Sequence, residues 1–149
     1  TLLLGVVAAG AFWSQRPVLA KPAKSPSLEA AEVFANNCSS CHGASGRGDG
    51  TVTQPAVWSN IEGIDGSRKP RNYTAEWFRF GDSEPAIIAT IRNGVPGTAM
   101  NGFKDIYPAP VIRELARIVR NFRGKLTNEQ IRREHPERIP ADIRAMLPH

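Results

Sequence analysis

The chain has 149 residues, 41% hydrophobic and 22% charged, one domain's worth of ordinary globular composition with room for a tail and an anchor. Its net charge of +5 raises nucleic acid as a partner, but residues 1–103 hold nine basic and eight acidic side chains and residues 104–149 ten and six; this mixed, C-terminal excess lacks the clustering a nucleic-acid binder needs and suits steering toward an acidic protein. The only two cysteines, Cys38 and Cys41, sit three positions apart, which excludes a disulfide framework and makes the pair chemical rather than structural.

The chain opens on an uncharged apolar run from Thr1 to Trp13, with Trp13 and Arg16 placed as headgroup-belt residues. A run of this length also suits a signal-peptide core, with Val18-Leu19-Ala20 as a cleavage site, but residues 1–20 are read here as an uncleaved membrane anchor. Proline and lysine without periodicity make residues 21–26 a stiff linker. Ser25 as cap and Pro26 in the first turn start a helix, along which Leu28, Ala31, Phe34 or Ala35, and Cys38 recur at helical spacing.

From Gly43 to Tyr73 periodicity vanishes among glycines and prolines. So long an irregular stretch suits a compact domain only if it wraps a cofactor, which would also compensate for an aromatic content of only 7%. A short helix is expected over 85–93, apolar at Ile87, Ile88 and Ile91 and ended by Gly94. The next runs from Ala109 or Pro110 to Arg123 and stops at Gly124, with Val111, Leu115, Ile118 and Phe122 on its apolar side. In the tail, Thr127 and Gln130 form a capping box, Pro136 ends that helix and Pro140 starts a last one. The fold class expected is all-α, small and loop-rich.

Cys38-Ser-Ser-Cys41-His42 is a C-x-x-C-H sequence, the pattern of covalent c-type haem attachment. At the end of a helix, the two thiols reach the two vinyl groups of one porphyrin and the next residue turns its imidazole to the iron. Zinc would need four ligands, and the remaining histidines, His135 and His149, lie in the polar tail. A thioredoxin-type dithiol wants a strand and a βαβ pattern, which is missing here. For the sixth position on the iron, Met100 stands in a turn-rich loop, Gly94-Val-Pro-Gly97-Thr98-Ala99-Met100-Asn101-Gly102-Phe103, where a core-filling methionine is out of place. His135 or His149 is the alternative.

The helix before C-S-S-C-H, Gly43 and Gly48-Asp49-Gly50 after it, the Gly97-Thr98-Ala99-Met100 loop and the last amphipathic helix resemble a class I cytochrome c domain over residues 25–124. Pro70-Arg71-Asn72-Tyr73-Thr74 and Trp77 resemble the cytochrome c subunits of bacterial membrane-bound respiratory complexes. The resemblance implies one covalent haem c packed among crossing N- and C-terminal helices, with a domain over 27–124; the tail over 125–149 lies outside the resemblance and is read as an extension for packing or partner binding. By position, Pro55 matches the family's proline whose carbonyl accepts the ring N–H of His42. Tyr73, Trp77, Phe78, Phe80 and Phe103 are candidates for the haem wall, and Arg71 and Asn72 for its propionates. With His42 and Met100 closing both axial positions, the function expected is one-electron transfer and not enzyme catalysis. The protein would be anchored in a bacterial inner membrane, its haem domain on the periplasmic side. Its partners would be other subunits of a redox complex and a protein donor or acceptor. The alternative is a haem enzyme or sensor with a displaceable axial ligand.

Overall fold

The computed structural model describes residues 24–53, 69–124 and 126–147. The anchor expected over 1–20 and the candidate Pro55 lie outside them. No helix among the described residues is long and apolar enough to cross a membrane.

Helix α1 (Pro26–Val33) starts where expected: the Ser25 hydroxyl accepts from the Leu28 N–H and Pro26 occupies the first turn, where its missing N–H costs nothing. It runs without a break into a π-helical turn, Phe34–Cys38, and then into α2 (Ser39–His42). A one-turn helix, Thr51–Thr53, follows the glycine-rich loop. Helix α3 (Glu84–Asn93) is capped by the Ser83 side chain and closed at Gly94. Helix α4 (Ala109–Arg123) is closed at Gly124. In the tail, α5 (Asn128–Glu134) carries the full capping box, Thr127 and Gln130 exchanging side-chain bonds with each other's backbone. A turn of 3₁₀ helix at Pro136–Arg138 and the short α6 (Ala141–Arg144) complete the chain. Every described element is helical, and the described residues contain no strand.

Helix α4 packs against both α1 and α3 and is the spine of the domain. Two details differ from the periodicity. On α4 the buried stripe is wider than expected: Ile112, Ala116 and Val119 join Val111 and Leu115 in the core, while Ile118 and Phe122 are only partly buried. A helix gripped by two neighbours buries adjacent rows, not one. On α1 the buried residues are Ala30, Val33 and Phe34, whereas Leu28, Ala31 and Ala35 are exposed. Steps of four back from Cys38 reach Phe34 and Ala30, both buried, so the expected stripe holds at Phe34 and departs from the buried face at Ala31 and Leu28.

Ile112 is fully buried at the centre of this packing. Ile112→Ala should therefore lower the unfolding free energy by about 2–5 kcal/mol, the range for truncating a core isoleucine, measured by denaturant titration of the intact protein.

Candidate functional site

The loop after α2 folds back over it and ties off its last carbonyls, which a helix end leaves without partners. The N–H of Gly43 donates to Ser39, that of Gly48 to His42 at 2.8 Å, and that of Gly50 to Cys41 at 3.2 Å. All three glycines are required. Gly43 has φ +76°, and a Cβ there would stand 2.0 Å from the Asp49 carboxylate; Gly48 has φ +75°, and its Cβ would stand 2.6 Å from the Pro70 carbonyl oxygen; a Cβ on Gly50 would stand 2.1 Å from the Ser40 carbonyl oxygen. The end of the Cys38–His42 turn is thus clamped by the backbone of the returning loop.

His42 is buried, its ring stacked on Tyr73 with centroids 4.5 Å apart and an interplanar angle of 17°. Its Nδ1 lies 3.3 Å from the Arg71 carbonyl oxygen. A carbonyl only accepts, so Nδ1 carries the proton and Nε2 keeps its lone pair. Burial holds the ring's pKa down to about 4, against an ordinary 6.5, with the Arg71 carbonyl opposing and the Arg71 charge assisting. The ring is therefore neutral at neutral pH, the form that binds a metal. Since the unfolded chain takes up this proton first, acidification from about 6.5 toward about 4 draws stability from the fold through His42. Burial, with Cys41 beside it, pushes the Cys38 thiol up to about 11, and burial likewise raises the Tyr73 hydroxyl. The Cys38 thiol is thus held protonated and is poorly suited to acting as an exposed redox thiolate.

Met100 comes from a separate loop, between α3 and α4. Its loop is tied down at several points. The Thr98 hydroxyl donates to the Val95 carbonyl at 2.8 Å and accepts from the Met100 N–H at 3.1 Å. The Val95 N–H donates to the Met100 carbonyl, and the Phe103 N–H bonds back to Ile91 on α3. Threonine at 98 is thus a turn-former that sets the direction of Met100.

Cys38, Cys41, His42 and Met100 all line one cavity of about 810 Å³. Arg71, Tyr73, Phe78, Phe80, Phe103 and Ile91 also line it. Its volume is within the range of about 300–1,000 Å³ typical of cofactor sites. Residues far apart in sequence therefore converge on one apolar space carrying two thiols, an imidazole and a thioether, a donor set that fits a covalent haem with two protein ligands.

Not every predicted wall residue is there. Trp77 packs instead against Ile131, Ile139 and Ile143 in a second, smaller core. Arg71 lines the cavity, but its guanidinium is paired with Glu76 at 2.9 Å. Pro55 lies outside the described residues, and the acceptor seen for the His42 ring is the Arg71 carbonyl. Of the alternative ligands, His135 sits in the tail beside Glu137 and away from the cavity lining, and His149 is outside the described residues. Sequence reading missed Pro140, a tail residue on the cavity wall. Nothing in local periodicity brings it there.

Residues 27–133 match the family model described as cytochrome c, and the chain belongs to the cytochrome c family. Membership brings haem c as its covalently bound cofactor and electron transfer as its role. No curated protein matches the sequence. Among solved structures, a chain of the reducing HAO-like protein complex of Kuenenia stuttgartiensis shares the fold, with a TM-score of 0.54 and 24% identity. The likeness covers 68% of this chain and 46% of that one, so this chain spans less than half of its neighbour's length.

The clamp on the motif gives a direct test. Gly50→Ala forces the loop or the Ser39–Ser40 carbonyls to move, and overpacking of this kind costs about 1–3 kcal/mol. The variant should carry less haem per polypeptide, measured by pyridine haemochrome absorbance against protein mass; an unchanged ratio and unchanged stability would refute the clamp.

Proposed function

We propose that this chain is a monohaem electron carrier in which haem c is bonded through Cys38 and Cys41 and its iron is held by His42 and Met100. The observation that carries this reading is the convergence of all four residues, from two separate stretches of chain, on one cavity of about 810 Å³. The haem supplies one-electron exchange between ferric and ferrous iron. The chain supplies the rest. The Arg71 carbonyl holds His42 in the tautomer that presents Nε2, and Tyr73 fixes the plane of its ring. Thr98 aims Met100. A thioether and an imidazole as the iron's two protein ligands would favour ferrous iron, so the midpoint potential would be positive. With His42 and Met100 both holding the iron, no position would be left for a substrate, and the protein would be a carrier and not an enzyme. Lys69 and Arg79 on the cavity lining would offer positive charge to the haem's two acidic side chains.

The same reading extends to the protein's setting. The apolar run from Thr1 to Trp13 supports a tether in a bacterial inner membrane, with the haem domain in the periplasm. The neighbour's membership of a complex, and a tail rich in arginine, support a role as a subunit exchanging electrons with a protein partner.

The purified protein should stain for haem on a denaturing gel and should not bind carbon monoxide when reduced. Met100→Ala should keep the stain, lower the midpoint potential and gain carbon monoxide binding in the reduced state. Binding by the unaltered protein would point to an open-site haem enzyme or sensor instead.

A further inference from the structure

The tail, expected as an extension for packing or partners, makes buried polar contacts with one short piece of the haem domain. The side-chain amide of Asn128, itself buried, pairs both backbone groups of Phe78: its Oδ1 accepts from the Phe78 N–H at 2.9 Å and its Nδ2 donates to the Phe78 carbonyl at 2.8 Å. The Asn128 N–H donates to the Asp82 carboxylate at 2.6 Å. Arg123, the last residue of α4, completes the junction. It donates to Asn128 Oδ1 at 2.9 Å and to the Glu76 carbonyl at 3.0 Å, bonds the Leu126 carbonyl, and lies over the Phe78 ring at 4.3 Å. Ile131 on α5, with Ile139 and Ile143 beyond it, buries itself against Trp77.

The segment so gripped, residues 76–82, has no helix or strand of its own to hold it. It nonetheless provides Phe78, Arg79, Phe80 and Gly81 to the cavity lining. A loop without a backbone ladder stays in place only through such outside bonds, and a buried amide that loses them is costly. Pro140, next to the buried Ile139, reaches the same lining directly.

We propose that residues 126–147 form a wall of the haem crevice, with Asn128 the positioning residue that holds segment 76–82 closed over it. The proposal rests on the haem reading above and adds to it a role for the tail: excluding water from the side of the haem that Phe78, Phe80 and Pro140 cover. Excluding water disfavours the more charged ferric state, and closing the crevice slows small ligands that compete for the iron.

The test uses the full-length, haem-loaded protein and two variants, Asn128→Ala and Ile139→Ala, with Arg132→Ala, an exposed change on α5, as the control. Three readouts are taken: haem per polypeptide, midpoint potential, and the rate at which cyanide binds the ferric protein. Both tail variants should keep their haem and show a lower potential. Cyanide binding should be about tenfold faster, in proportion to the added population of open wall. The control should match the unaltered protein. If Asn128→Ala fails to fold, Ile139→Ala decides, since it loosens only the far end of the tail. Haem-loaded tail variants with unaltered potential and cyanide rate would overturn the proposal while leaving the haem reading intact; absence of pigment in the unaltered chain would overturn both.

Discussion

The whole arrangement depends on how the helix carrying the cysteines ends. A helix terminus leaves carbonyls in need of donors, and here those carbonyls belong to the residues that bear the chemistry. The returning loop satisfies Cys41 and His42 through the N–H groups of Gly50 and Gly48, so the bonds that close the helix also fix the motif. Side chains larger than hydrogen have no room at that contact. The same loop then passes on the constraint, because the Gly46 carbonyl accepts from the Tyr73 N–H at 2.7 Å and Tyr73 stacks on His42.

The support for Met100 is built on a different principle. Met100 belongs to no helix, and its direction comes from a threonine-centred turn anchored on α3. The two supports are joined through α4, which packs on α1 and α3 alike, and by the Asn37 amide donating to the Tyr107 hydroxyl at 3.1 Å. Aromatic rings line the route between them: Phe122 lies against both Phe34 and Tyr73, and Tyr73 against Phe78. A chain with few aromatic residues has thus gathered a large share of them around one space, where a flat apolar cofactor supplies the remaining contact surface.

The tail shows how polar groups can do structural work inside such a protein. Asn128 and Arg123 are buried among apolar rings, an arrangement that is costly unless their hydrogen bonds are met. They are met, largely by the backbone of segment 76–82. Burial lowers the pKa of Arg123, with Asp82 opposing that shift; the guanidinium stays charged nonetheless, which strengthens its bonds to carbonyls. A purely apolar contact could not have set the register of an irregular loop in this way.

What the sequence alone determined was local. The helix starts at Ser25 and Thr127, the stops at Gly94 and Gly124, the C-x-x-C-H spacing and a methionine in a turn-rich loop all depend on neighbours a few residues away. Even there, one local feature was hidden: the π turn Phe34–Cys38, for which the composition carries no signal. Only the tertiary structure decided that Trp77 belongs with the tail and not with the cavity, that the Arg71 carbonyl meets His42, and that Pro140 joins the wall. Each of these depends on which surfaces pack together across long stretches of chain, and periodicity, which records only that a residue has an apolar side, carries no information about what that side will meet.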